Sequence, residues 1–463
     1  MSETKYNKNS VASIYEHSVN LIGNSLSEVT VLPPDITNSK NRGDLGSLVE
    51  KYYFEHNPPN NHDPDFEKVG LELKTTGFVD YKRPTKFGEV IKAKERLFLT
   101  NINYKTISFE SWETSSFLHK CNLMLILFYK YNKEVSVVDQ KFVFKPLLLL
   151  VLEARVNLTQ ADESFVSMSA LKIPTEDVET IKRDWEFIKQ KVKEHNEHEL
   201  SEGDTNYLAA CRKGAGGKDE KLQRQSKGDV GAKSRAFAFK QSYLTKLLQG
   251  HSRREYLMGP NTKISLEEAT QLKFAPFIGL TIDEIAAKLN YDSKSKSRKF
   301  LLTQHILSKD GKRVSEFEKA EIFIKTVSLT KSGKSREDIS FPAFKYLEID
   351  NQTWEESDFS YQIESRFLLV IFRLDEQGKD RLIKTKFWTM PHEHRLVAKS
   401  VWEDTKKRIR TDARDLPKMS ESKIVHVRPH ARNAQDLDET PQRTFLVKKS
   451  FWLNREYIAD VVN

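Results

Sequence analysis

Cysteine is nearly absent: the 463 residues contain only Cys121 and Cys211. Two thiols cannot staple a chain of this length, which excludes a disulfide framework and points to a reducing compartment, so a cytoplasmic protein is expected. Long apolar runs are missing too. The run Leu147 to Leu152 has six residues, against roughly 20 for a membrane helix, so no membrane is expected among the partners. The first twenty residues carry Glu3, Lys5, Lys8 and Glu16 and no apolar segment, so no secretory signal is expected. Neither sign of charge dominates: Lys plus Arg number 75 against 66 Asp plus Glu, a net charge of +9. That balance suits a polyanionic partner without requiring one.

Apolar material is ample, with 38% hydrophobic and 10% aromatic residues, so the chain is expected to be globular. Its length exceeds what one core usually organises, and two domains are the simplest expectation. Helical patterns alternate with short apolar strands, as in α/β and α+β folds. Leu45, Leu48, Val49, Tyr52 and Tyr53 recur at spacings of three and four, which predicts a helix over 44–53 carrying Glu50. Leu71 and Leu73 alternate with Glu72 and Lys74, the pattern of a half-buried strand whose other face holds both charges. The stretch 215–233, rich in Gly, Lys, Gln and Ser, reads as a loop, and 251–263 reads as a linker.

The second half echoes the first in order. Ile22-Gly23 before Leu26-Ser27-Glu28-Val29 returns as Ile278-Gly279 before Ile282-Asp283-Glu284-Ile285. Asp65-Phe66-Glu67-Lys68 returns as Glu316-Phe317-Glu318-Lys319, and Leu71-Glu72-Leu73-Lys74-Thr75 as Ile322-Phe323-Ile324-Lys325-Thr326. Trp112-Glu113 matches Trp354-Glu355, and Trp185-Glu186 matches Trp402-Glu403. These anchors predict tandem copies of one fold: a catalytic domain over 1–250, the linker, and a non-catalytic domain over 264–463 in which Phe323 replaces an acid.

The chemistry sits in Pro64-Asp65 followed by Glu72-Leu73-Lys74. Phosphodiester hydrolysis needs a divalent cation at the scissile phosphate, an activated water and a charge to stabilise the oxyanion. Two carboxylates and a lysine supply these, and hard magnesium accepts oxygen ligands while keeping several waters. Asp65 and Glu72 are thus the expected ligands, with Lys74 orienting or deprotonating water and Glu50 completing the site. An isolated E-x-K on a strand reads equally well as a solvent-facing ion pair. The upstream Pro-Asp, the helical acid and the copy without the acid together favour a nuclease.

Longer segments carry a resemblance. Gly70-Leu71-Glu72-Leu73-Lys74-Thr75, the stretch from Lys94-Glu95-Arg96-Leu97 to Asn101-Ile102-Asn103-Tyr104, Trp112-Glu113-Thr114-Ser115-Ser116-Phe117-Leu118, and His198-Glu199-Leu200-Ser201-Glu202-Gly203 resemble the MutH-like branch of the PD-(D/E)XK nucleases. The two-part layout resembles the Sau-type GATC-cutting restriction enzymes of that branch. The resemblance implies two tandem restriction-endonuclease-like domains, each a mixed central sheet flanked by helices. It further implies magnesium-dependent cleavage of double-stranded DNA at 5′-GATC-3′ and an allosteric C-terminal domain. Residue by residue it implies Asp65, Glu72 and Lys74 as the catalytic set, Glu50 as the helical acid and Lys120 as an accessory lysine. The base-reading loop aligns with Cys211-Arg212-Lys213 in the first half, where Cys211 departs from the family's Arg, and with Arg428-Pro429-His430 in the second. Arg212, Lys213, Arg428 and His430 are the DNA-contacting candidates. The implied partners are duplex DNA, a second DNA site on the C-terminal domain and a second copy of the chain paired on DNA. Two rivals remain, a GATC nickase of the mismatch-repair type and a DNA-binding protein without catalysis.

Other signals carry less. Pro429 between His426 and His430 breaks the helix a metal pair would need. Residues 212–219 miss the glycine and the Ser or Thr of a phosphate loop. His56 and His62 receive no role.

Overall fold

The computed structural model describes residues 6–37, 45–56, 63–81, 90–153, 158–212, 223–224, 231–249, 257, 264–308, 311, 314–354 and 357–463. The chain forms two compact units: Met1–His198, Thr205–Arg253 and Pro260–Lys263, then Glu199–Asp204, Arg254–Gly259 and Ile264–Asn463. The expected linker lies outside the described residues except for Leu257. The expected loop does too except for residues 223–224 and 231–233, where Gln223–Arg224 pairs antiparallel with Gly231–Ala232.

The first unit is built on a mixed five-stranded sheet in the order Ile91–Ala93, Leu71–Asp80, Leu123–Lys130, Lys141–Val151, Leu171–Lys172. The two central strands run parallel, with Glu72 opposite Met124. Leu123–Lys130 reads Leu-Met-Leu-Ile-Leu-Phe-Tyr-Lys and is buried as far as Tyr129, the composition of a strand covered on both faces. Leu71, Leu73, Leu123, Leu125 and Leu149 pack with Val11, Ile14, Leu45 and Val49 from the flanking helices. A second sheet orders Leu97–Asn101, Arg235–Phe239 and Leu208–Arg212.

Two local expectations change. The strand from Leu71 is not half-buried, because Glu72 is 1% exposed. The short helix Ser116–Cys121 packs against that strand and covers its charged face. The segment after Leu45 is α-helical only to Leu48 and then widens over Val49–Tyr53. There Phe54 N–H reaches Val49 O at 3.1 Å and His56 N–H reaches Glu50 O at 2.9 Å. Such widened turns are frequent at functional sites, and this one holds Glu50.

The second unit repeats the topology. Ile322–Leu329 runs parallel to Arg366–Leu374, which pairs antiparallel with Asp380–Thr389. A small sheet orders Ile339–Ala343, Lys449–Leu453 and Val425–Pro429. The repeat extends to detail. Gly23 and Gly279 sit at φ of 86° and 85°, a conformation that costs glycine nothing. Their N–H groups reach Phe142 O and Leu382 O at 2.5 and 2.7 Å. Each is followed by a capping box, Ser25 with Glu28 and Thr281 with Glu284. Trp112 meets Trp185 edge-on at 5.9 Å and 70°, and Trp354 meets Trp402 at 5.8 Å and 68°. The long helices Thr175–Lys193 and His392–Asp412 both start after a proline, Pro174 and Pro391.

Candidate active site

A tight reversal builds the site. The one-turn helix Glu67–Val69 ends at Gly70, whose φ of 62° is left-handed, and the chain folds back so that Phe66 N–H reaches Leu71 O at 2.9 Å. Asp65 thereby lands beside the start of the strand. Its Oδ2 accepts the Leu73 N–H at 2.8 Å, while its own N–H donates to Glu72 Oε2 at 3.2 Å. Lys74 Nζ lies 2.5 Å from Glu72 Oε1, and Lys120 Nζ lies 3.6 Å from the same oxygen. Lys120 also donates to Asp63 O at 3.0 Å.

The Trp-Glu-Thr-Ser segment explains how Lys120 arrives. Ser115 Oγ accepts the Leu118 N–H at 3.1 Å and caps the helix that carries Lys120. Trp112 donates Nε1–H to Glu153 at 2.7 Å and anchors the segment.

Electrostatics tie Glu50 to the group. Burial, then the charge of Asp65 and further that of Glu72, push its pKa up to about 7 against the pull of Lys74 and Lys120. Burial likewise raises Glu72 to about 7, opposed chiefly by Lys74. Burial works against the Lys74 ammonium, but the groups around it, Glu72 foremost, together raise the lysine pKa. Lys74 therefore stays charged, which suits orienting water better than deprotonating it. Cys121, at the end of the Lys120 helix, is pushed up to about 12 by burial and stays a neutral thiol.

These carboxylates fit a hard cation. Asp65 Oδ1 has no hydrogen-bond partner among the described residues, and both acids offer oxygen donors. Among the described residues no three His, Cys, Asp or Glu side chains converge as a ready cage.

The raised pKa of Glu50 gives a test. A carboxyl with its folded pKa near 7 costs the fold nothing below about 4.5 and progressively more as pH rises through about 7. Glu50→Gln should therefore raise the melting temperature of the metal-free protein at pH 8, on the order of a few degrees, with the gain falling toward zero by about pH 4. Calorimetry in EDTA at both pH values measures it, and an equal gain at both would mean that Glu50 ionises normally.

The second unit keeps only part of this set at the corresponding positions. Glu316, 2% exposed, stands where Asp65 does, and Phe323 replaces Glu72 and packs toward the core. Lys325 points to Ser340 O at 3.0 Å and to the Phe341 ring, and burial lowers its pKa. Glu321, the counterpart of Gly70, takes φ of 57°, a left-handed turn that glycine makes more cheaply.

The structure thus brings together Glu50, Asp65, Glu72, Lys74 and Lys120. Arg212 ends its strand half-buried, and Lys213 lies outside the described residues. Arg428 and His430 are exposed in the second unit. His426 is buried against Asn454 Oδ1 at 2.5 Å, which removes it from any pairing with His430. His56 stacks on Phe66 at 5.3 Å, and His62 lies outside the described residues. Sequence reasoning missed Asp184. Buried on the helix Thr175–Lys193, it accepts the N–H groups of Asn206, Tyr207 and Leu208 at 2.8, 2.6 and 2.9 Å, fixing the start of the strand that ends at Arg212. Its place directly before Trp185, one of the repeat's anchors, was the available signal.

The model of the family described as DNA mismatch repair enzyme MutH matches residues 54–162 and 307–399, one segment in each unit. The type II restriction enzyme Sau3AI of Staphylococcus aureus is 30% identical over 488 aligned residues, covering 91% of this chain and 93% of that enzyme. Likeness over that span cannot come from a short shared motif, and the chain belongs to the MutH/Sau-type family of PD-(D/E)XK endonucleases as a site-specific enzyme of the restriction type.

Proposed function

We propose that this endonuclease cuts duplex DNA at 5′-GATC-3′ with magnesium, using residues 1–250 for catalysis and 264–463 as a DNA-binding effector domain. The observation that carries the reading is the convergence of Glu50, Asp65, Glu72, Lys74 and Lys120 around one buried carboxylate pair. Asp65 and Glu72 would hold the ion. When bound, it supplies Lewis-acid stabilisation at the phosphate and lowers the pKa of water. Lys74, fixed by Glu72, orients the attacking water and offsets charge on the phosphate oxygens. Lys120 adds a second cation beside the same carboxylate, and Glu50 closes the acidic side. Water gives up a proton to solvent as its oxygen bonds to phosphorus, the bond to the 3′ oxygen breaks, and that oxygen takes a proton from solvent, leaving 5′-phosphate and 3′-hydroxyl ends. The GATC site rests on the family resemblance and on the likeness to Sau3AI. Arg212 and Lys213 are the proposed base contacts of the first unit.

Plasmids with one or two GATC sites, incubated with magnesium or with EDTA, test the reading. Linear products are expected with magnesium only, with ends mapping to GATC. The two-site plasmid is expected to be cut faster, since effector coupling typically amounts to roughly 5- to 150-fold. Nicked circles would favour the nickase, retarded uncut DNA a binding protein, and equal rates on both plasmids a second unit that is only a clamp.

A further inference from the structure

The second unit carries an arginine held in a way the first does not repeat. Arg428 lies on the strand Val425–Pro429, its side chain 47% exposed. Its Nη1 is bound to Asp338 Oδ2 at 2.6 Å, and its guanidinium lies 4.1 Å over the Trp452 ring. Asp338 is itself fixed. Its side chain is 6% exposed, and its other oxygen accepts the Arg455 N–H at 2.8 Å. His430 adds a second ring against Trp452 at 5.2 Å. Among the described residues no partner is bound to Nε or Nη2 of Arg428. In the first unit the aligned position is Cys211, fully buried, so that position does not repeat this arrangement.

A guanidinium offers its donors in a planar fork, and one edge of the fork can be tied down while the other keeps two parallel N–H groups. Here Asp338 ties one edge and Trp452 restricts tilt of the plane. The Nε–Nη2 edge that stays free is the pair that matches guanine O6 and N7 in the major groove. Ordering that normally costs free energy on binding is already complete.

We infer that Asp338 and Trp452 are positioning residues that hold Arg428 as a preformed reader of a guanine edge on duplex DNA. The inference rests on the reading that the second unit binds DNA. It goes further in naming the residues that orient the contact and the base they orient it toward.

The test uses the full chain and a one-site plasmid, with a duplex oligonucleotide bearing GATC added to accelerate cutting. In Asp338→Asn the oligonucleotide concentration for half-maximal acceleration should rise about tenfold, the scale of one lost charge-assisted hydrogen bond. Trp452→Leu, which leaves the Asp338 bond to Arg455 intact, should raise it as well. In an Arg428→Ala background Asp338→Asn should add nothing, because interacting residues are not additive. A full Asp338 effect in that background would overturn the inference and leave Asp338 as a cap of the helix Arg455–Val462. Wild-type behaviour of Asp338→Asn would overturn it as well. Replacing guanine by 7-deazaguanine in the oligonucleotide should weaken wild type and spare Arg428→Ala, and equal losses in both would exclude the guanine edge. If wild type shows no acceleration at all, the effector reading fails. The same cycle is then measured as binding of the labelled duplex to the full chain, where additive effects again overturn the positioning role.

Discussion

Asp65→Asn and Glu72→Gln should each lower the cleavage rate by at least about three powers of ten, equivalent to roughly 4 kcal/mol at 1.36 kcal/mol per tenfold. Each replacement is nearly isosteric and removes one of the two negative charges that would hold the cation. Asp65→Asn leaves the side-chain oxygen that accepts from Leu73. Glu72→Gln leaves an acceptor for the Asp65 N–H. The reversal at Gly70 should therefore survive, and gel retardation of a GATC duplex should show DNA binding retained. Single-turnover cleavage in saturating magnesium is the measurement. A variant cutting at close to the wild-type rate would remove that residue from the metal site.

Lys74→Ala should lose about 10²- to 10³-fold in rate, the range seen when one preorganised stabiliser of a developing oxyanion is removed. The loss has a second component. Without its partner at 2.5 Å, buried Glu72 would be pushed further upward and hold a cation less well at neutral pH. Raising the pH or the magnesium concentration should therefore recover part of the Lys74→Ala rate but none of the Glu72→Gln rate. Adding Phe323→Glu to Lys74→Ala should restore nothing. The second unit would still lack a lysine facing the new acid, because Lys325 is bound to Ser340 O, and the counterpart of Lys120 on the helix Asp358–Glu364 is Gln362. Recovered cutting in the double variant would show that the copy retains a working site.

Much of the molecule was legible from local pattern. Duplication could be read because capping boxes, positive-φ glycines and tryptophans leave fixed spacings, and these anchors recur with the same geometry in both units. Asp65, Glu72 and Lys74 could be read because a strand's period of two puts Glu72 and Lys74 on one face, and a short reversal returns Asp65 to them. Covering of the charged face was not legible. Alternation predicts a wet side, whereas packing of elements such as the helix Ser116–Cys121, more than forty residues away, makes Glu72 a buried acid near pKa 7. Lys120 was joined to the site in sequence by resemblance alone and Glu50 only by its place on the preceding helix, since nothing local says that the widened turn at Val49–Tyr53 and the end of a capped helix share one charge environment. Asp184 and Asp338 escaped notice for the same reason. Each is a single acid with no periodicity, and it acquires a role when distant backbone N–H groups or a guanidinium arrive at its oxygens. The sequence by itself determined which elements form and which residue types are present. Tertiary packing alone decided which charges lose their water, because desolvation depends on what the rest of the chain brings against them.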